Sequence, residues 1–143
     1  GNLGGALRQQ GGVARIAEAG PHYRFAYEHS LRHNGPDAPM TVIVRGNHAN
    51  WLRDNGQAQE SRDELLAVLA LAETVFGPET SATAETLRGL GLSQIALGDL
   101  AAARASLERS LAIHITLFGN ADGPLARIRE SIAKLEAAEA AAP

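Results

Sequence analysis

Two short stretches decide the fold. Val75-Phe76-Gly77-Pro78-Glu79-Thr80 and Leu117-Phe118-Gly119-Asn120 each close a long run of apolar residues at helical spacing. In both, a large apolar residue comes just before Gly. Gly accepts the left-handed backbone that ends a helix. The two glycines stand 42 positions apart, and so do Gly56 and Gly98, each of which comes before such a run. A fixed period of that size is the mark of a repeat array.

Working outward, residues 45–86 slide onto 87–128 without gaps and give nine identities. These include Arg62/Arg104, Leu65/Leu107, Leu69/Leu111 and Thr74/Thr116. The apolar matches fall three and four apart, which puts them on one helical face. Leu100, Ala103, Leu107, Leu111, His114 and Leu117 form an inward stripe, as do Leu65, Val68, Leu69, Ala72, Val75 and Phe76. Asp99 and Thr80 (or Ser81) have the side chains that cap a helix start. Asp122 is expected to cap the last helix, with Pro124 in its first turn.

A degenerate third copy comes first. Leu7-Arg8-Gln9-Gln10-Gly11 matches Leu52-Arg53-Asp54-Asn55-Gly56, and Asn34-Gly35-Pro36-Asp37 matches Phe76-Gly77-Pro78-Glu79. Gly11 to Gly35 is 24 positions, against 21 in the later copies, so about three residues are inserted. Gly20-Pro21 is the expected place, and Pro21 predicts a kink or break there.

The composition fits close-packed helices. The chain has 143 residues, 27 of them Ala, six aromatics and no Cys. An apolar content of Ala and Leu favours helix over strand. Without Cys there is no disulfide framework, thiolate zinc site or cysteine nucleophile. A net charge of -3 leaves no basic footprint for nucleic acid or an anionic membrane. No run of about 18 apolar residues spans a bilayer. A reducing cytoplasm is the expected setting. The chain begins with Gly and partway through a first helix, so it is read as a piece of a longer protein.

These residues resemble the tetratricopeptide repeat family in its 42-residue, kinesin-light-chain-type form. Leu90-Gly91, then Gln94, then Gly98-Asp99-Leu100 follow the family's first-helix pattern, and Ala103, Leu107 and Ser110 its second. The usual first-helix Tyr is absent, and Leu100 replaces an aromatic. The resemblance implies an all-α fold of antiparallel helix pairs stacked as a right-handed α-solenoid. About three repeats are expected, at residues 2–43, 44–86 and 87–123, with a capping helix at 124–140. Its stripe is Leu125, Ile128, Ile132 and Leu135.

The resemblance also implies a concave surface, lined by the first helix of each pair, that holds a peptide or partner helix. Counting from the turn glycines gives Gly5, Arg8 and Gln9, then Gly46, Asn50, Arg53 and Asp54, then Arg88, Leu92 and Ile95 as its exposed residues. Arg8, Arg53 and Arg88 would form a basic strip, with Asn50 placed to bond a peptide backbone. An acidic or carboxylate-ended ligand would suit it; the alternative is that the arginines only solvate an exposed face. Trp51 reads as an interface anchor or as packing against the next helix pair.

His29 and His33 have metal-ligand spacing, but no third ligand is fixed and the metalloprotease Glu is missing. His114 and His48 read as core residues. There is no Gly-x-Ser-x-Gly elbow and no phosphate loop. No enzyme activity, cofactor, nucleic acid or membrane is expected. Two functions stay open. One is a protein-interaction module. The other is a self-assembly unit that pairs through an open repeat end near Leu3 and Leu7, since exposed apolar ends find partners.

Overall fold

The computed structural model describes the backbone of residues 3–143 and the side chains of residues 12–143. Six helices account for the described residues: α1 (Leu3–Asn34), α2 (Pro39–Asp54), α3 (Ala58–Val75), α4 (Ser81–Ala96), α5 (Leu100–Phe118) and α6 (Asp122–Ala141). The chain forms an all-α solenoid of stacked antiparallel pairs. α2 with α3 and α4 with α5 are the complete pairs, and α1 and α6 flank them.

The turns set the period. Gly35, Gly56, Gly77, Gly98 and Gly119 all have positive φ, and they stand 21 residues apart. A side chain would strain each of these turns. After α2 the Gln57 amide donates to the Leu52 carbonyl at 2.8 Å, and after α4 the Asp99 amide donates to the Gln94 carbonyl at 2.9 Å. These are the same helix-ending bond one period apart. Thr80 caps α4, its Oγ1 accepting from the Thr83 amide at 3.3 Å. Asp99 caps α5 by accepting from the Ala102 amide at 3.4 Å. Asp122 does not cap α6. It is the first helical residue, Ala121 holds the cap position, and the Asp122 carboxylate accepts from Arg129 instead.

The first copy departs from expectation. The helix pair expected in residues 2–43 does not form: one helix of 32 residues, α1, runs through Gly11 and through Pro21. The period supplies the reason. Counting 21 back from Gly35 gives Ala14, not Gly, so the required left-handed residue is missing. Pro21 withdraws one N–H, the donor owed to the Ala17 carbonyl, and α1 continues past it. A neighbour supports this stretch: Trp51 of α2 donates its indole N–H to the Ile16 carbonyl. Gly20 makes that approach possible, because a Cβ there would sit 2.3 Å from the Trp51 ring. The single Trp therefore packs against α1.

Apolar clusters run along the stack. Ala49, Leu65 and Leu90 join α2, α3 and α4. Ala103 and Leu107 meet Leu125, Ile128 and Leu135 of α6, with Ile132 packed against them. Where helices come closest, buried hydroxyls pair across the joints: Ser30 with Thr41 at 2.7 Å and Ser61 with Ser93 at 2.8 Å. Small paired groups keep backbones close and leave no donor unmet. Ion pairs lace the outside: Arg45 with Glu64 at 2.8 Å, and Arg109 with Glu73 at 3.0 Å.

Candidate functional site

α2, α4 and α6 are the first helices of successive pairs, and they present one face together. A groove of 280 Å³ opens there. Its floor is apolar, from Val42 and Ile43 of α2, Val68 and Ala72 of α3, and Phe76 just after α3. Its rim is polar, from Asn47, Asn50, Glu85, Arg88 and Arg127. Ile43, Glu85 and Arg127 stand 42 residues apart, so one repeat position supplies all three.

Glu85 is the hub of the rim. Its carboxylate accepts from Arg88 at 3.3 Å and lies 3.4 Å from the Arg127 guanidinium. His114 Nε2 lies 3.7 Å away. His114 is buried, as its place in the apolar stripe suggests, and its Nδ1 meets the Ser110 carbonyl at 2.8 Å. Arg88 also reaches Ser131 Oγ at 3.5 Å, joining α4 to α6. Arg127 is largely exposed, so one guanidinium stands at the mouth of the groove.

Arg53 has a different part. Its side chain is mostly buried and donates to Asn50 Oδ1 at 2.9 Å and to the Gly89 carbonyl at 3.3 Å. Burial lowers its pKa, the Arg88 charge adds to this, and Asp54 at 3.4 Å offsets it. Asn50 Oδ1 lies over Gly89, where a Cβ would come within 2.4 Å of it. Arg53 and Asn50 thus tie α2 to α4 at a spot where a Cβ on Gly89 would displace the Asn50 amide.

A second groove, of 440 Å³, runs between α1 and α2. Arg15, Ala19 and Tyr23 line it from α1, and Trp51 and Asp54 from α2. Asn47 and Asn50 line both grooves.

The residues expected from the sequence therefore separate. Asn50, Arg88 and Gly46 line the first groove, and Asp54 the second. Arg53 lies in the joint between α2 and α4. Ile95 packs against the cluster formed with α5 and α6, and Leu92 lines neither groove. Arg8, Gln9 and Gly5, with Leu3 and Leu7, lie outside the described side chains. Sequence reasoning missed Ile43, Asn47, Glu85 and Arg127. The 42-residue register of positions 43, 85 and 127 was the signal that could have found three of them.

Among the described residues no three metal-ligating side chains gather. His29 and His33 stand side by side on α1 with ring centroids 4.3 Å apart, and Phe25 stacks on His29. His48 is not a hydrogen-bonded core residue like His114. It lies between Tyr27 and Trp51, with ring centroids 6.3 and 5.8 Å away, and its buried Nε2 has no partner. No described helix is long and apolar enough to cross a membrane.

A tetratricopeptide repeat family model matches residues 43–115, about half of the chain. The chain belongs to the tetratricopeptide repeat family. Its helix pairs are of the long kind, with a 42-residue period. Among solved structures it is similar to BtubC (BKLC) from P. vanneervenii, with a TM-score of 0.68 and 18% identity. The match covers 89% of this chain and 54% of that one, so the chain spans about half of that protein's length. No curated protein matches the chain. Tetratricopeptide repeats generally mediate protein–protein interaction or scaffolding.

Proposed function

We propose that the chain is a protein-interaction scaffold that holds a peptide or partner helix in the groove on α2, α4 and α6. One observation carries the reading: an apolar floor lies beside a rim where Arg88 and Arg127 share the single carboxylate of Glu85. The excess positive charge favours an acidic segment, and the floor accepts an apolar side chain next to it. The Asn47 and Asn50 amides supply hydrogen bonds for a peptide backbone. The reading needs no reaction and no cofactor, and the absence of cysteine suits a reducing cytoplasm.

The test uses displayed random peptides selected on the full chain. Selection should enrich sequences that pair acidic with apolar residues. Binding should be lost in Arg127→Glu and in Ile43→Asp, with thermal unfolding unchanged. Peptides that bind both variants as well as the parent, or a selection that enriches nothing, would overturn the reading. Arg53 is unsuited to this test, since its loss opens the joint between α2 and α4.

A further inference from the structure

The groove between α1 and α2 occupies a place that is filled elsewhere in the molecule. One period later, the corresponding seat on α3 and α4 is covered by α2. There Ala49 packs on Leu65 and Leu90, Asn50 lies over Gly89, and Arg53 donates to the Gly89 carbonyl. At the first seat the corresponding residues are Tyr23 for Leu65, His48 for Leu90 and Asn47 for Gly89. Tyr23 is 39% exposed, while Leu65 is 0% exposed. The first seat is open because α1 continues as helix where a period turn would fold the chain back.

The same chain carries a segment shaped for that seat. Aligned through Gly11 and Gly56, Leu3-Gly4-Gly5-Ala6-Leu7-Arg8 corresponds to His48-Ala49-Asn50-Trp51-Leu52-Arg53. The sizes are exchanged in a complementary way. Where Asn50 faces Gly89, Gly5 would face Asn47. Where Ala49 meets Leu65 and Leu90, the smaller Gly4 would meet the larger Tyr23 and His48. Arg8 matches Arg53, the residue that ties such a joint. Yet α1 is continuous from Leu3, and at about 1.5 Å per residue its first turns lead roughly 18 Å beyond Arg15. The segment cannot lie on its own seat in this conformation.

We infer that the chain forms a swapped dimer, in which residues 3–11 of one copy occupy the α1–α2 groove of a second copy. Exchange of an identical element is an accessible route to dimers, and a hinge that straightens is how it starts. The second copy supplies the helix that α1 does not fold back to form, and the seat becomes a joint like that between α2 and α4. This inference shares Asn47 with the peptide reading but does not depend on it, since that reading rests on Glu85, Arg88 and Arg127.

The absence of cysteine makes the test clean. Gly5→Cys and Asn47→Cys, prepared separately and mixed under mild oxidation, should give a disulfide-linked heterodimer, since the matching pair Asn50 and Gly89 is in close contact. Gly5→Cys mixed with Asp63→Cys, an exposed site on α3, should not. In the Gly5→Cys/Asn47→Cys double variant, an intramolecular disulfide at high dilution would mean that the segment folds onto its own seat, and would overturn the swap. Equal trapping at position 63, or no trapping at 47, would do the same. Sedimentation gives a second readout. The parent chain should dimerise with rising concentration, and Gly5→Trp, which sets a ring against Asn47, should lose that dimer. A dimer indifferent to Gly5→Trp would overturn the inference, with circular dichroism showing that the helices remain.

Discussion

The joint between α2 and α4 and the open groove beside α1 are the same place in the repeat, one period apart. The interior joint is built from Gly89, Ser93, Ala96 and Leu65. The terminal groove has Asn47, Trp51, Asp54 and Tyr23 at those positions. Small and apolar residues have become amide, aromatic and charged ones. The groove beside α1 is therefore not an interior joint with its cover removed. It is a resurfaced joint that stays wet when open and still offers a shaped seat. A repeat scaffold is held by nearest-neighbour contacts, so one joint can be altered without unsettling the others.

The largest expected difference between the two regions lies in their cores. Leu107→Ala removes a fully buried side chain from the cluster of α4, α5 and α6. It should destabilise the chain by about 2–5 kcal/mol. In the dilute, monomeric chain, Tyr23→Ala at the equivalent position of α1 should cost less than about 1 kcal/mol because the ring is already partly in water. Urea unfolding of the two variants decides this. Equal losses would mean that the seat beside α1 is already covered in solution.

Close approach gives the next largest effect. Gly20→Ala places a Cβ against the Trp51 ring and forces the indole off the Ile16 carbonyl. The overpacking should cost about 1–3 kcal/mol and shift the Trp emission to the red. Gly46→Ala meets only Val68 at 3.6 Å, an ordinary contact, and should gain about 0.5–1 kcal/mol from helix propensity. A Gly20→Ala protein with unchanged emission would show that Trp51 does not clamp α1.

A smaller effect belongs to the interior turn. Thr80→Ala removes the hydroxyl that accepts from the Thr83 amide and itself donates to the Gly77 carbonyl. About 1 kcal/mol should be lost. Ser81→Ala, next to it and exposed, should change stability little. If the two lose equally, the cap is not what holds the start of α4.

Most of this architecture is legible in the sequence, because turns and stripes are local. The glycines at 56, 77, 98 and 119 mark the helix ends, and the stripe through Leu107 names the core. The conformation of α1 is less legible. Pro21 argues for a break, but what decides is Ala14 standing where the period needs Gly, and Trp51 propping the helix from 35 residues away. The site is partly legible for a similar reason. Arg53 looks exposed when counted along α2, yet its partner is the Gly89 carbonyl of another repeat. Glu85 and Arg127 emerge only when positions are aligned across copies rather than along one helix.

The smallest effect tests how the two regions respond to pH. His48 stacks on Trp51, which lines the groove beside α1, and His114 lies 3.7 Å from Glu85 on the rim of the other groove. Burial lowers the His48 pKa, and Arg24 of α1 adds to this; Glu64, Glu28 and Glu60 oppose it. With its folded pKa below the unfolded value of about 6.5, His48 is held neutral by the fold. Below that pH the unfolded chain takes up the proton first. Stability is therefore full above the unfolded pKa and is lost as pH falls through the folded one. The urea midpoint of the parent chain should drop between pH 7.5 and 5.5, and His48→Gln should flatten that slope. The loss should start at the α1–α2 joint, where Nε2 lies without a partner between Tyr27 and Trp51. Trp51 emission should then change at a lower urea concentration than the helical signal as the solution is acidified. Coincident curves at every pH would mean that the terminal joint opens only with the whole array, and that the contrast between the two ends is one of surface rather than stability.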